Sequence, residues 1–221
     1  FARRPAWLDL PAFGQFFTIG FDLVLRTMML IGCEAIFLNS AALNGDMELA
    51  AAQLILVMVS IFAFGLDGYA HAAEALVGEA VGRKDRDMLR LVVHRTTWMA
   101  FGSSLVIGLI ALIAKMPILQ ALTNQPALIE MTAQYWHWVA IIPLSSFLAF
   151  QMDGIFVGAT LSRDMRNAML VSTVIFIGLT FFVKPYGLAG LIAVFTLYLG
   201  LRGLTLLVLM PRVYHQAGGH A

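Results

Sequence analysis

Charge is scarce in this chain. Only 12% of its 221 residues are Asp, Glu, Lys or Arg, while 60% are hydrophobic, and the mean hydropathy is +0.84. Soluble domains carry about 25% charged and about 45–50% apolar residues. A water-soluble fold would have no means of covering this much apolar surface, so the bilayer is the natural solvent. Cysteine is nearly absent, and Cys33 alone excludes an internal disulfide. His71, His94, His137, His215 and His220 are scattered and form no cluster with metal-ligand spacing. A formal net charge of +1 offers no general attraction for nucleic acid. No GxSxG, HExxH or P-loop pattern occurs, so an enzyme is not supported. No internal linker or low-complexity tract interrupts the chain. Phe1 in place of an initiator Met suggests a fragment or a processed product. No apolar run with a small-residue cleavage site follows Arg3-Arg4, so no signal peptide is expected.

What is present is a series of long apolar runs. A transmembrane helix needs roughly 20 mostly apolar residues, and six stretches qualify: about Gln15 to Leu38, Leu49 to Ala80, Leu91 to Ala114, Met131 to Thr160, Ala168 to Val183 and Leu188 to Met210. The breaks carry turn chemistry, as in Asn44-Gly45-Asp46, Gly82-Arg83-Lys84-Asp85, Asn124-Gln125-Pro126, Ser162-Arg163-Asp164 and Lys184-Pro185-Tyr186-Gly187. The expected fold is an all-α membrane protein, a six-transmembrane-helix bundle spanning residues 15–213. A linker, 1–14, precedes it and a tail, 214–221, follows.

Orientation follows from the basic residues. With six spans, one side holds Arg3, Arg4, Arg83, Lys84, Arg86, Arg90, Arg95, Arg163, Arg166 and Arg212, and the other only Lys115 and Lys184. Both termini are therefore expected in the cytoplasm, and an odd number of spans would scramble the asymmetry. Tyr135, Trp136 and Trp138 fall at the outer end of the fourth span, where amphipathic rings anchor at the headgroups.

Ionisable groups inside the hydrocarbon are costly, and they mark a pathway or a pair. Asp22 and Arg26 lie four residues apart on one face of the first span, which fits either an internal ion pair or a cation site. Glu34 lies further along the same span. Asp67 and Asp153 each precede a glycine, in two spans that run in the same direction. Asp153 stands ten residues, or roughly 15 Å, from Arg163, close to the bilayer midplane. Transporters place coupling sites at this depth on interrupted helices. His71 is one turn from Asp67, a spacing that permits a His–Asp pair. Glu74 and Glu79 should pack against the basic loop Arg83 to Arg90. Gly65, Gly68 and Ala72, and likewise Gly154, Gly158 and Ala159, offer small residues at helix-contact spacing.

Several segments together resemble one family. Leu66-Asp67-Gly68-Tyr69-Ala70-His71-Ala72-Ala73-Glu74-Ala75-Leu76-Val77-Gly78, followed by Gly82 and a charged loop, is similar to the eighth-helix motif of multidrug and toxic compound extrusion (MATE) transporters of the DinF-like branch. Phe21-Asp22-Leu23 with Arg26-Thr27 looks like the start of the seventh helix. Ala50-Ala51-Ala52-Gln53 resembles the start of the eighth. Met152-Asp153-Gly154-Ile155-Phe156-Val157-Gly158-Ala159 with Met165-Arg166-Asn167-Ala168-Met169 looks like the tenth. The resemblance spans most of the chain, in family order.

It implies one lobe, the second, of a twelve-helix antiporter in the bacterial inner membrane. Such an antiporter exports cationic or amphipathic molecules in exchange for H⁺ or Na⁺. The N-terminal six-helix lobe and membrane lipid would be its partners, with no cofactor beyond the coupling ion and no nucleic acid. Asp153 takes the place of a tenth-helix acid with a cation role in part of the family. Asp67, Asp22, Arg26, Glu34 and Gln53 complete the candidate pathway. The seventh-helix glutamate of some members has no clear match. The alternatives are a lipid-linked oligosaccharide flippase of the same superfamily, which would call for more intramembrane basic residues than Arg26 and Arg202, and a non-transporting membrane subunit.

Overall fold

The computed structural model describes residues 10–218. Arg3, Arg4, the remainder of 1–9 and residues 219–221 lie outside the described residues. Six helices exceed 20 residues: α1 (Leu10–Ala42), α2 (Asp46–Gly82), α3 (Arg86–Ile113), α6 (Trp136–Gly158), α7 (Ser162–Phe182) and α8 (Gly187–Val208). Short helices fill the connections: α4 (Lys115–Leu122) and α5 (Pro126–Gln134) between α3 and α6, and α9 (Met210–Ala217) after α8. Among the described residues, five helical segments are long and apolar enough to cross a membrane: α2, α3, α6, α7 and the stretch Lys184–Ala217 that contains α8. The 33-residue α1, which carries Asp22, Arg26 and Glu34, is the remaining long helix.

The helix ends follow local chemistry. The Asp85 side chain caps α3 by accepting from the Met88 N–H at 2.9 Å. Asp46 and Glu48 sit in the first turn of α2, where negative charge complements the helix dipole. α2 and α6 end alike. After Val81-Gly82, Lys84 takes φ 54°, and the Asp85 N–H reaches back to the Ala80 carbonyl. After Val157-Gly158, Thr160 takes φ 57°, and the Leu161 N–H reaches back to Phe156. This closing bond satisfies carbonyls that a helix end leaves free.

The sequence reading joins Met131 to Thr160 into one span, but the helix breaks at Tyr135 and α6 proper starts at Trp136. Trp136 is also not an interfacial anchor. It is 2% exposed, and its indole N–H donates to the Ala111 carbonyl at 2.7 Å. Tyr135 and Trp138 are half-buried against the same core. A hydrogen-bond acceptor freed at the α3 terminus makes an internal site for the indole better than a headgroup one.

α6 is the axis of the lobe and packs on α2, α3 and α8, while α1 lies mainly along α7. Glycines set these spacings. A Cβ on Gly154 would overlap the Ala70 carbonyl of α2, and one on Gly158 the Glu74 carbonyl. A Cβ on Gly203 of α8 would stand 2.7 Å from the Ala149 nitrogen, and one on Gly108 of α3 would stand 2.7 Å from the Ala140 oxygen. The small-residue pattern read on the fourth span therefore does bring backbones together. On the second span, Gly68 meets nothing within 4 Å.

The apolar interior forms two clusters. One contains Phe37, Ile55, Trp136, Phe176, Phe195 and Tyr198. The other contains Val77, Leu89, Phe156, Met165, Leu206 and Val213. Between them the helices carry charge: Arg26 on α1, Asp67 on α2, Asp153 on α6 and Arg202 on α8.

Candidate functional site

The charged layer is built around Asp153. Arg26 donates from Nη2 to Asp153 Oδ2, joining α1 to α6. Arg202 donates from its own Nη2 to the same oxygen at 3.0 Å, joining α8 to α6. Arg202 is 4% exposed, and its guanidinium also lies 6.0 Å from the Phe150 ring centroid. A carboxylate only 14% exposed, with two guanidiniums on it, satisfies the demand that intramembrane charges be paired. The glycine after Asp153 lets α2 approach closely and holds Asp67 near the same layer. Asp67 is within electrostatic reach of His71, Asp153, Arg26 and Arg202.

α6 ends at Gly158, five residues or about 8 Å past Asp153. The layer thus lies nearer the basic end of the lobe than the 15 Å measured along the sequence to Arg163, because the chain turns at Thr160 before it reaches that arginine.

The intrahelical Asp22–Arg26 pair does not form. Asp22 is 1% exposed and turns to α7. It accepts from Arg166 Nη1 at 2.6 Å and from Ser162 Oγ at 3.0 Å. The carboxylate thereby sits at the start of α7, where the helix dipole favours negative charge. Arg26 takes the carboxylate of α6 instead. Asp164, also buried, pairs with Arg212 of α9.

His71 does not pair with Asp67. Its Nδ1 lies 3.5 Å from Glu74 Oε2. Glu79 pairs with Arg83 at 2.7 Å, the packing expected of the basic loop. Asp67 and Glu34 are half-buried and make no hydrogen bond or ion pair among the described residues; Glu34 lies within electrostatic reach of Arg202. Gln53 is exposed on α2, fourteen residues or about 21 Å before Asp67, and lies apart from the charged layer.

Of the predicted residues, then, the fold brings Arg26, Asp153 and Asp67 into one layer, places Asp22 beside it and leaves Gln53 distant. Sequence reasoning missed Arg202 as a member of the site, although it is the lone charged residue of a 22-residue apolar helix. It also missed Arg166 and Ser162, whose position at a loop gave no such signal. Gln151, 1% exposed, donates to Thr96 Oγ1 at 2.7 Å and was likewise unmarked.

Long apolar helices packed through glycine, with an internal charge cluster joining three of them, define a multi-pass α-helical membrane protein. The chain belongs to the MatE family, whose pattern it matches over residues 23–182. It is 32% identical over 203 residues to DNA damage-inducible protein F of Escherichia coli (strain K12), an alignment covering 90% of this chain and 44% of that protein. It is 25% identical over 194 residues to Protein DETOXIFICATION 43 of Arabidopsis thaliana, covering 87% of this chain and 37% of the relative. Protein DETOXIFICATION 42 of the same plant is 25% identical over 191 residues, with 86% and 37% covered. The chain spans less than half the length of each of these relatives.

Proposed function

We propose that this chain is the C-terminal lobe of a secondary active transporter in the bacterial inner membrane. It would export cationic or amphipathic small molecules in exchange for H⁺ or Na⁺, and would work together with an N-terminal six-helix lobe. It is a transporter and not an enzyme in this reading, with both termini cytoplasmic. The observation that carries it is the charged layer sandwiched between two apolar clusters, since ionisable groups at such a depth mark ion pathways. Membership of the MatE family supports it.

The residues divide the work by their partners. Asp153 pairs with both Arg26 and Arg202 and fixes the field of the layer. Among the described residues Asp67 and Glu34 have no such partners, so they are the groups free to take a proton or a cation. Asp22 ties α1 to α7, and Gln53 lies on the substrate path away from the charges. A coupling ion shifts a transporter only by binding its two states unequally. An unpartnered carboxylate beside a fixed cluster supplies that difference when the helices move. Both intramembrane arginines are engaged by Asp153, which leaves neither for a phosphate and speaks against the flippase.

The test is efflux of a fluorescent cationic dye from inverted vesicles carrying the lobe together with its N-terminal counterpart, under an imposed pH or Na⁺ gradient. Gradient-driven dye movement supports an antiporter and identifies the ion. Well-folded protein that moves no dye under either gradient overturns the proposal.

A further inference from the structure

A second site lies at the basic end of the lobe, away from the charged layer. Arg86, Arg90 and His94 lie on one face of α3 at successive turns, and α9 lies opposite with Tyr214 and His215. Together they line a cleft of about 730 Å³. None of the described residues lining it is acidic. Arg86 and Arg90 are exposed and make no ion pair among the described residues. No described residue of the cleft compensates their positive charge.

The cleft leads into a second, of about 230 Å³, between α3, α6 and α8. His94, Met210 and Tyr214 line both. The second is otherwise mostly apolar, with Leu148, Met152 and Leu207 on its walls and Trp98 at its side. Thr97 also lines it, and its Oγ1 is buried with no hydrogen-bond partner among the described residues. Along α3 the order is thus two guanidiniums, an imidazole, a free hydroxyl and an indole. From Arg86 to Thr97 this ladder rises about 16 Å. Beyond it α3 presents exposed apolar side chains such as Leu105, Leu109 and Ile113.

We infer that the two joined clefts bind one anionic phospholipid. The phosphate lies between Arg86 and Arg90, the glycerol and ester region is at the level of His94 and Thr97, and one acyl chain lies in the apolar cleft. Guanidinium pairs are suited to phosphate oxygens, and basic pockets between membrane helices bind anionic headgroups. The unpartnered Thr97 hydroxyl gains an ester oxygen to donate to, and Trp98 takes the interfacial depth that indoles prefer. The inference does not depend on the transport reading.

Thermal unfolding of the chain, purified in a neutral detergent, tests it with phosphatidylglycerol, phosphatidylcholine and inorganic phosphate as probes, and native mass spectrometry counts retained lipid. Phosphatidylglycerol is expected to raise the unfolding temperature saturably and to be retained at one per chain. Phosphatidylcholine and millimolar phosphate should do neither. The double variant Arg86→Gln/Arg90→Gln should weaken phosphatidylglycerol roughly thirtyfold without lowering the unliganded unfolding temperature. Leu207→Trp, which fills the apolar cleft, should weaken it as well. An equal response to phosphatidylcholine, or full binding by the double variant, overturns the site. A response to phosphate alone assigns the cleft to a soluble anion instead of a lipid. Unchanged binding by Leu207→Trp removes the acyl chain from the apolar cleft and overturns the two-cleft assignment.

Discussion

Replacing Asp153 by Asn strands two cations. Asn keeps the shape and one acceptor oxygen but removes the carboxylate that Arg26 and Arg202 share, the only one that either contacts among the described residues. Arg202 is 4% exposed and cannot reach water without unpacking α8, whereas Arg26, at 19%, has some freedom to turn outward. Breaking a buried pair from one side costs about 3–5 kcal/mol, because an uncompensated charge remains behind. The partial exposure of Arg26 puts Asp153→Asn near the lower end, about 3 kcal/mol.

Removing one cation behaves differently. Arg202→Met leaves Asp153 paired with Arg26, so no charge is left without a partner and the cost should be smaller than that of Asp153→Asn. Asp153→Asn should therefore be the most destabilising single change in the cluster, and adding Arg202→Met to it should recover part of the loss. Reversible unfolding in mixed micelles measures the four proteins as a double-mutant cycle. Because the cluster is shielded from solvent ions, the difference should change little with ionic strength. An Asp153→Asn protein as stable as the parent, or a double variant whose losses simply add, would refute the reasoning.

Three further outcomes are expected. Gly154→Ala should disrupt the α2–α6 seam and lower the yield of folded protein, because its Cβ meets the Ala70 carbonyl, while Gly68→Ala, with open space around it, should leave the unfolding temperature unchanged or slightly raised; equal effects on yield and unfolding would contradict the packing described. Asp22→Asn should loosen α1 from α7, read as faster hydrogen exchange in α1 with α6 and α8 unaffected, since Arg166 and Ser162 both bond to that carboxylate. Asp67→Asn should leave stability within about 0.5 kcal/mol, as expected for a side chain with no partner to lose, yet abolish gradient-driven dye efflux by the paired lobes; unaltered efflux would remove Asp67 from the coupling role.

Much of this architecture is legible in the amino-acid sequence. Apolar runs locate the long helices because membrane spans need length and low charge. The Gly154–Gly158 spacing marks a real backbone contact because only small residues allow helices this close. What is not legible is which helix stands beside which. Asp22 and Arg26 share a face of α1, and a rule confined to one helix pairs them. In the fold, the short Asp22 side chain meets the start of α7 and the longer Arg26 reaches α6. Trp136 misleads for a related reason: an indole near a span end suits the headgroups until a neighbouring helix terminus offers it a carbonyl. The break at Tyr135 carries no Gly or Pro, so periodicity alone runs through it.

The two kinds of contact have different mechanical consequences. α6 meets α2, α3 and α8 through glycine-sized gaps, where backbone lies on backbone and no change of protonation alters the fit. α1 is held otherwise. Its ion pairs among the described residues are Asp22 to α7 and Arg26 to α6, one turn apart on the same helix, and Cys33 adds a hydrogen bond to Thr173 of α7 at 3.6 Å. A charge change at Asp153 therefore acts on the docking of α1 through Arg26 and on the α6–α8 contact through Arg202, while the glycine contacts stay as they are. Charge-dependent contacts thus tie α6 to both α1 and α8, and glycine contacts set its backbone against α2, α3 and α8.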